Sequence, residues 1–226
     1  MRCAMVEIES YMQRLLDRLR QEFGGRLVYV GLQGSYLRGE AGPSSDIDVM
    51  MVLDTLHIED LDRYREIISG MPESEKACGF LCGRDELAAW QPYEIFHLVQ
   101  GTKDYYGTLR DLVPAYTRQD VIGFVKICAG NLYHELCHRY VFEDAAQNKS
   151  CFPGTCKQVF YLLQAAHYLR TGRYAATKQA LLDDTSGIDK EVLQLSIDLK
   201  NGNSFDFPSD FALVFGWCRG ILKENF

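Results

Sequence analysis

The chain has 226 residues, 47% of them apolar, and a net charge of −7 with a pI near 5.3. The apolar share supports a packed core and excludes disorder, while the acidic balance argues against the clustered basic surface that binds DNA or RNA. No apolar run approaches the ~20 residues that span a bilayer, and the charged N-terminal stretch lacks the apolar segment of a signal peptide. A cytoplasmic protein is expected, of one or two domains.

Glu7 to Phe23 carries an apolar stripe at Ile8, Tyr11, Met12, Leu15, Leu16 and Leu19, which predicts a helix ended by Gly24-Gly25. Val28-Tyr29-Val30 reads as a strand running into a turn flanked by Gly31 and Gly34. A short helix over Ser35 to Arg38 and a loop over Gly39 to Ser45 follow. Ile47 to Leu53 is almost continuously apolar, the pattern of a strand covered on both faces.

Asp54 to Ser69 is predicted helical, Cys78 to Leu81 a short strand, Asp85 to Trp90 a helical turn and Tyr93 to Val99 a strand. Asp104 to Pro114 reads as a junction. From Gln119 onward the periodicity is helical, over Val121 to Phe142, Cys156 to Leu169, Thr177 to Leu182, Lys190 to Lys200 and Ser209 to Lys223. The expectation is an α/β domain with a mixed sheet and flanking helices over residues 1–117, then an all-α helical bundle over 118–226.

The chemistry concentrates at Gly34 to Leu53. Asp46-Ile47-Asp48 opens the second strand, and side chains two apart on a strand leave the same face. Two carboxylates that close resist joint ionisation unless a cation shares them, and magnesium takes one or two carboxylates plus substrate phosphates. Upstream, Gly34 lets a phosphate approach the backbone, and Ser35 offers a hydroxyl and an N–H near a helix start. A phosphate cradle beside a metal-holding pair is a phosphoryl- or nucleotidyl-transfer arrangement.

Gly34-Ser35, ten intervening residues and then Asp46-Ile47-Asp48 resembles the signature of the nucleotidyltransferase superfamily that includes DNA polymerase β. The stretch is most similar to aminoglycoside adenylyltransferases and minimal nucleotidyltransferases. The resemblance implies two Mg²⁺ ions on Asp46 and Asp48, ATP as nucleotide substrate, and transfer of AMP to a hydroxyl-bearing small molecule. It also implies a third carboxylate on a strand beside the Asp-x-Asp strand. Glu94, flanked by Tyr93 and Ile95, is the candidate for general base or second metal ligand, with Asp85, Glu86 and Asp104 behind it. His97 falls on the opposite strand face and reads as a packed histidine.

By the same resemblance Arg38, one turn beyond Ser35, is a partner for the outer phosphates, against a plain solvated helix residue. The segment Thr171-Gly172 to Thr177-Lys178 looks like a Thr-Gly…Ser-Lys segment whose lysine contacts the triphosphate, with the glycine-to-lysine gap one residue longer here. Lys178 is the matching residue; the alternative is a helix-opening lysine in solvent.

Two other patterns compete. His134-Glu135-Leu136-Cys137-His138 matches H-E-x-x-H, the zinc-peptidase helix motif, but the continuation supplies no third ligand. Eight cysteines (Cys3, Cys78, Cys82, Cys128, Cys137, Cys151, Cys156, Cys218) include no Cys-x-x-Cys pair and read mostly as small buried hydrophobes. A minimal nucleotidyltransferase that adenylylates a partner protein, and a nucleotide-binding protein without catalysis, stand as alternative functions. The oligomeric state is left open, a dimer among the options.

Overall fold

A computed structural model describes residues 6–226, so Cys3 lies outside the described residues. The chain divides into two compact units, the first running to Ala115 and the second spanning Tyr116–Phe226.

The first unit runs α1 (Ile8–Phe23), β1 (Leu27–Leu32), α2 (Gly34–Leu37), β2 (Ile47–Leu53), α3 (Ile58–Ser69), β3 (Ala77–Gly83), α4 (Arg84–Ala88), α5 (Pro92–Gln100) and β4 (Lys103–Tyr106). The strands form one mixed sheet in the order β3-β2-β1-β4. β1 is antiparallel to β2 and β4, and β2 is parallel to β3. On one face Val49, Met51 and Leu53 pack with Tyr11, Met12, Leu15, Leu16, Leu19 and Phe23 of α1, and with Tyr64, Ile67 and Ile68 of α3. On the other face Tyr29, Met50, Val52 and Cys82 pack with Leu87 of α4 and with Leu98 and Val99 of α5. The continuous apolar run of β2 is therefore what a strand covered on both faces requires.

The predicted strand over Tyr93 to Val99 is instead the helix α5. Pro92 occupies the first helical position, where its missing N–H costs nothing. Ile95, Phe96, Leu98 and Val99 then fall on the inward side of a helix, a spacing that suits a 3.6-residue period as well as a strand. The predicted junction contains β4, a four-residue partner of β1.

One ion pair ties α3 to the sheet. Arg26 donates through Nη1 to Asp60 Oδ1 at 2.9 Å and through Nη2 to Asp60 Oδ2 at 2.8 Å, and Asp60 is only 2% exposed. The guanidinium holds the Asp60 carboxyl at about 2, helped by the backbone N–H of His57. A carboxyl depressed on folding contributes stability above its unfolded value of about 3.9, lost as pH falls toward the folded value. Arg26→Ala is expected to cost about 2 kcal/mol at pH 7, less than a fully buried pair because Arg26 is partly exposed. That corresponds to a melting temperature lower by about 4–8 °C. Thermal denaturation from pH 7 to pH 2.5 checks it, with the gap to wild type narrowing as Asp60 protonates.

The second unit is helical throughout its described elements: α6 (Arg118–Phe142), α7 (Ala145–Thr155), α8 (Gln158–Thr171), α9 (Lys178–Asp184), α10 (Gly187–Lys200) and α11 (Phe207–Lys223). α6 packs against α8 and α11, burying Val121, Val125, Ala129, Leu132 and Leu136. α7 was not legible in the sequence, because Pro153-Gly154 reads as punctuation. Asp144 caps its start by accepting from the N–H groups of Ala146 and Gln147.

Candidate active site

The site is built where β1 turns into α2 beside the opening of β2. Gln33 N–H donates to the Asp48 carbonyl at 2.8 Å, which fixes the corner against the second strand. Gly34 then takes a φ of +70°, a region that favours glycine. A β-carbon placed there would sit 1.8 Å from Asp48 Oδ2 and 2.8 Å from its Cγ. The corner and the Asp48 carboxylate are thus in direct apposition, with room for no side chain between them.

Asp48 is half-buried and shares the strand face of Met50 and Val52, while Asp46 lies exposed just before the strand begins. Burial pushes the Asp48 carboxyl above the usual range, the neighbouring Asp46 charge adds to this, and Arg38 and a hydrogen bond from the Cys78 thiol offset it in part. A half-buried carboxylate whose proton affinity is raised by a second carboxylate beside it is a site short of a cation. The short helix α2 has no side-chain cap hydrogen bond at its start, where half-buried Ser35 follows Gly34. Among the described residues no three His, Cys, Asp or Glu side chains gather to hold an ion by themselves. A pair of carboxylates that leaves the other positions to phosphate and water fits magnesium.

A family model described as a nucleotidyltransferase domain matches residues 12–77, the stretch from α1 through the corner and β2 to the start of β3. The protein adenylyltransferase MntA of Thermococcus cleftensis is 36% identical over 69 residues, covering 29% of this chain and 68% of that protein. The chain belongs to the nucleotidyltransferase family. A spectinomycin adenyltransferase from Enterococcus faecialis, solved with ATP and spectinomycin, superposes with a TM-score of 0.60 at 15% identity. The likeness covers 96% of this chain and 99% of that one, so the two share a fold across both units.

Several residues singled out in the sequence sit differently in this nucleotidyltransferase from what their pattern suggests. Glu94 is in the first turn of α5, not on a strand beside β2, and its carboxylate accepts the Trp90 indole N–H. Trp90 packs edge-on to Phe80 of β3 at 5.0 Å between ring centres, which places this pair on the Asp48 side of the sheet. The metal-ligand role for Glu94 has no support in this geometry. The strands flanking β2 carry no Asp or Glu at all: β1 reads LVYVGL and β3 reads ACGFLCG. Asp104 lies one strand further out, on β4, accepting from the Tyr29 hydroxyl at 2.6 Å. His97 is on α5 as well, its imidazole pushed down to about 4 by desolvation and so neutral.

Arg38 ends α2 and pairs with Glu40 at 3.0 Å while acting electrostatically on Asp48. Lys178 belongs to the second unit, where it opens α9 behind a Thr177 cap and lies over the Phe160 ring. The H-E-x-x-H helix is structural. Glu135 accepts from Arg139, Thr155 and Gln158 at 3.0, 2.7 and 2.9 Å, and although burial opposes it, these bonds hold its carboxyl low. A carboxylate so engaged is a tether between α6, α7 and α8, not a general base.

The cysteine reading holds for Cys82, Cys156 and Cys218, which are buried and pushed up to about 12 chiefly by burial. It fails for Cys78, which is exposed and faces Asp48 across the ladder. Nothing local to Cys78 announces this; the register of β2 with β3 does.

Proposed function

We propose that this nucleotidyltransferase moves AMP from ATP to a hydroxyl of a small molecule, releasing pyrophosphate. The observation that carries the reading is the apposition of the Gly34 corner with the Asp48 carboxylate, with Asp46 beside it. Asp46 and Asp48 would hold Mg²⁺, which neutralises the triphosphate and stabilises the attacking and leaving oxygens. The backbone at Gly34 and Ser35 seats the β- and γ-phosphates, and Arg38 adds positive charge beside them. In the step itself the acceptor oxygen forms a bond to the α-phosphorus and the bond to pyrophosphate breaks. The acceptor proton leaves to a carboxylate, for which Glu94 is the candidate on the Asp48 side of the sheet and Asp104 the rival. Lys178 as a triphosphate contact rests on the resemblance of its segment.

A second reading has its own support: the sequence match is to a protein adenylyltransferase, so the acceptor could be a protein hydroxyl. The two separate in one experiment. The purified protein is incubated with labelled ATP and Mg²⁺, either with a panel of hydroxyl-bearing antibiotics or with cell lysate. Label on a small molecule with stoichiometric pyrophosphate supports the first reading. Label on a protein band moves the assignment to the second. ATP binding with no pyrophosphate under either condition reduces the chain to a nucleotide-binding protein.

A further inference from the structure

We propose that Thr102, on the turn between α5 and β4, is a positioning residue for the triphosphate: its hydroxyl holds the Gln33 side chain, and through it the Gly34–Ser35 corner, in place beside Asp48. The inference rests on the reading above, that this corner seats the outer phosphates.

Gln33 is the residue just before Gly34, and its backbone N–H donates to the Asp48 carbonyl at 2.8 Å. Alternation along β1 puts Tyr29, Gly31 and Gln33 on one face. Tyr29 packs there with Met50 and Val52, the face that Asp48 shares, and the Gln33 amide nitrogen lies 3.9 Å from Met50 Sδ. Gln33 is therefore the neighbour of Asp48 across the ladder, with its side chain half-buried on the same side of the sheet.

That side chain is held from the β4 edge. Gln33 Nε2 donates to Thr102 Oγ1 at 2.8 Å, and Thr102 Oγ1 donates to the Leu98 carbonyl, in the last turn of α5, at 2.6 Å. A carbonyl only accepts and a hydroxyl has one proton, so the Thr102 proton is committed to Leu98 and its oxygen accepts from Gln33. Gly31 makes the room. A β-carbon there would fall 2.6 Å from Thr102 Cγ2 and 2.2 Å from the Tyr29 hydroxyl oxygen, so Thr102 reaches across β1 only because residue 31 has no side chain. The corner is thus tied twice, by the Gln33 backbone to β2 and by the Gln33 side chain to the end of α5. With the second tie gone the corner is free to pivot about the first, and a misplacement of about 1 Å is enough to cost most of what a positioned group contributes.

The test is calorimetric titration of ATP with Mg²⁺ into full-length wild type, Gln33→Leu, Thr102→Val, Thr102→Ser and the Gln33→Leu/Thr102→Val double variant, with a thermal melt of each preparation. Valine keeps the shape of threonine without its hydroxyl, and serine restores the hydroxyl. Gln33→Leu and Thr102→Val should each bind ATP about 10-fold more weakly than wild type, while Thr102→Ser stays within about 3-fold of it. The double variant should be about as weak as either single one, because both remove the same bond. A purely structural role would lower the melting temperature and leave ATP affinity within about 3-fold of wild type in the variants that fold. That outcome overturns the proposal, as do a Thr102→Ser protein as weak as Thr102→Val and losses that multiply in the double variant. Should Thr102→Val not fold, Gln33→Leu decides alone, since it leaves the bond from Thr102 to Leu98 in place. Failure of the underlying reading looks different: wild type itself then binds no ATP in the presence of Mg²⁺.

Discussion

Asp48→Asn is expected to lower AMP transfer by at least ~10³-fold, about 4 kcal/mol of lost transition-state stabilisation, while leaving the fold intact. The carboxamide has nearly the shape of the carboxylate but cannot supply an anion to a divalent cation. Nor should the substitution destabilise the protein. In the folded state burial and then the Asp46 charge push the Asp48 carboxyl upward, so its ionised form costs stability. That cost is in force above the folded-state pKa and fades as pH falls and Asp48 protonates. Without divalent cation at pH 7, Asp48→Asn should therefore melt at or slightly above wild type, and the difference should vanish on acidification. Loss of activity with retained or raised melting temperature is the pattern of a site residue held against its own folding preference. Radiolabel transfer and scanning calorimetry on the same preparations check both halves.

Gly34→Ala is the second large effect. The new methyl would land 1.8 Å from Asp48 Oδ2, and the backbone at φ +70° resists any side chain by about 1–2 kcal/mol. Either the corner swings away or the Asp48 carboxylate rotates out of place, and both separate the phosphate cradle from the pair. An expected fall in kcat/KM of about 100-fold follows from the misplacement alone. The two sites touch, so their effects should not add. In an Asp48→Asn background, Gly34→Ala should cost little further activity, whereas independent roles would give the product of the two losses. Steady-state pyrophosphate release on wild type, both single variants and the double variant measures the coupling.

The central part of this site was legible because its signal is local. Gly34-Ser35 and Asp46-Ile47-Asp48 lie within fifteen residues of one another, and the apolar run over Ile47 to Leu53 specifies a doubly covered strand without knowledge of its neighbours. The corner could be matched to the carboxylates by spacing alone. What the sequence could not show depends on contacts between distant segments. Tyr93 to Val99 satisfies both a strand and a helical period. The outcome turned on Pro92 at the first helical position and on Leu98 and Val99 finding the Met50–Val52 face. The same applies to Cys78, whose place beside Asp48 follows from a parallel register that no local pattern encodes. α7 was hidden because Pro153 stands inside a helix whose polar and apolar residues are mixed with no apolar stripe. His134-Glu135-x-x-His138 shows the converse: a pattern complete in sequence whose glutamate the fold spends on Arg139, Thr155 and Gln158.

Calorimetric titration of ATP into the full-length protein, with and without Mg²⁺, bears most directly on whether the corner and the aspartates form one triphosphate site. Wild type should bind ATP only with Mg²⁺ present, and an Asp46→Asn/Asp48→Asn protein that melts normally should lose that binding. Equal ATP affinity in the two proteins, or affinity in wild type indifferent to Mg²⁺, would contradict it.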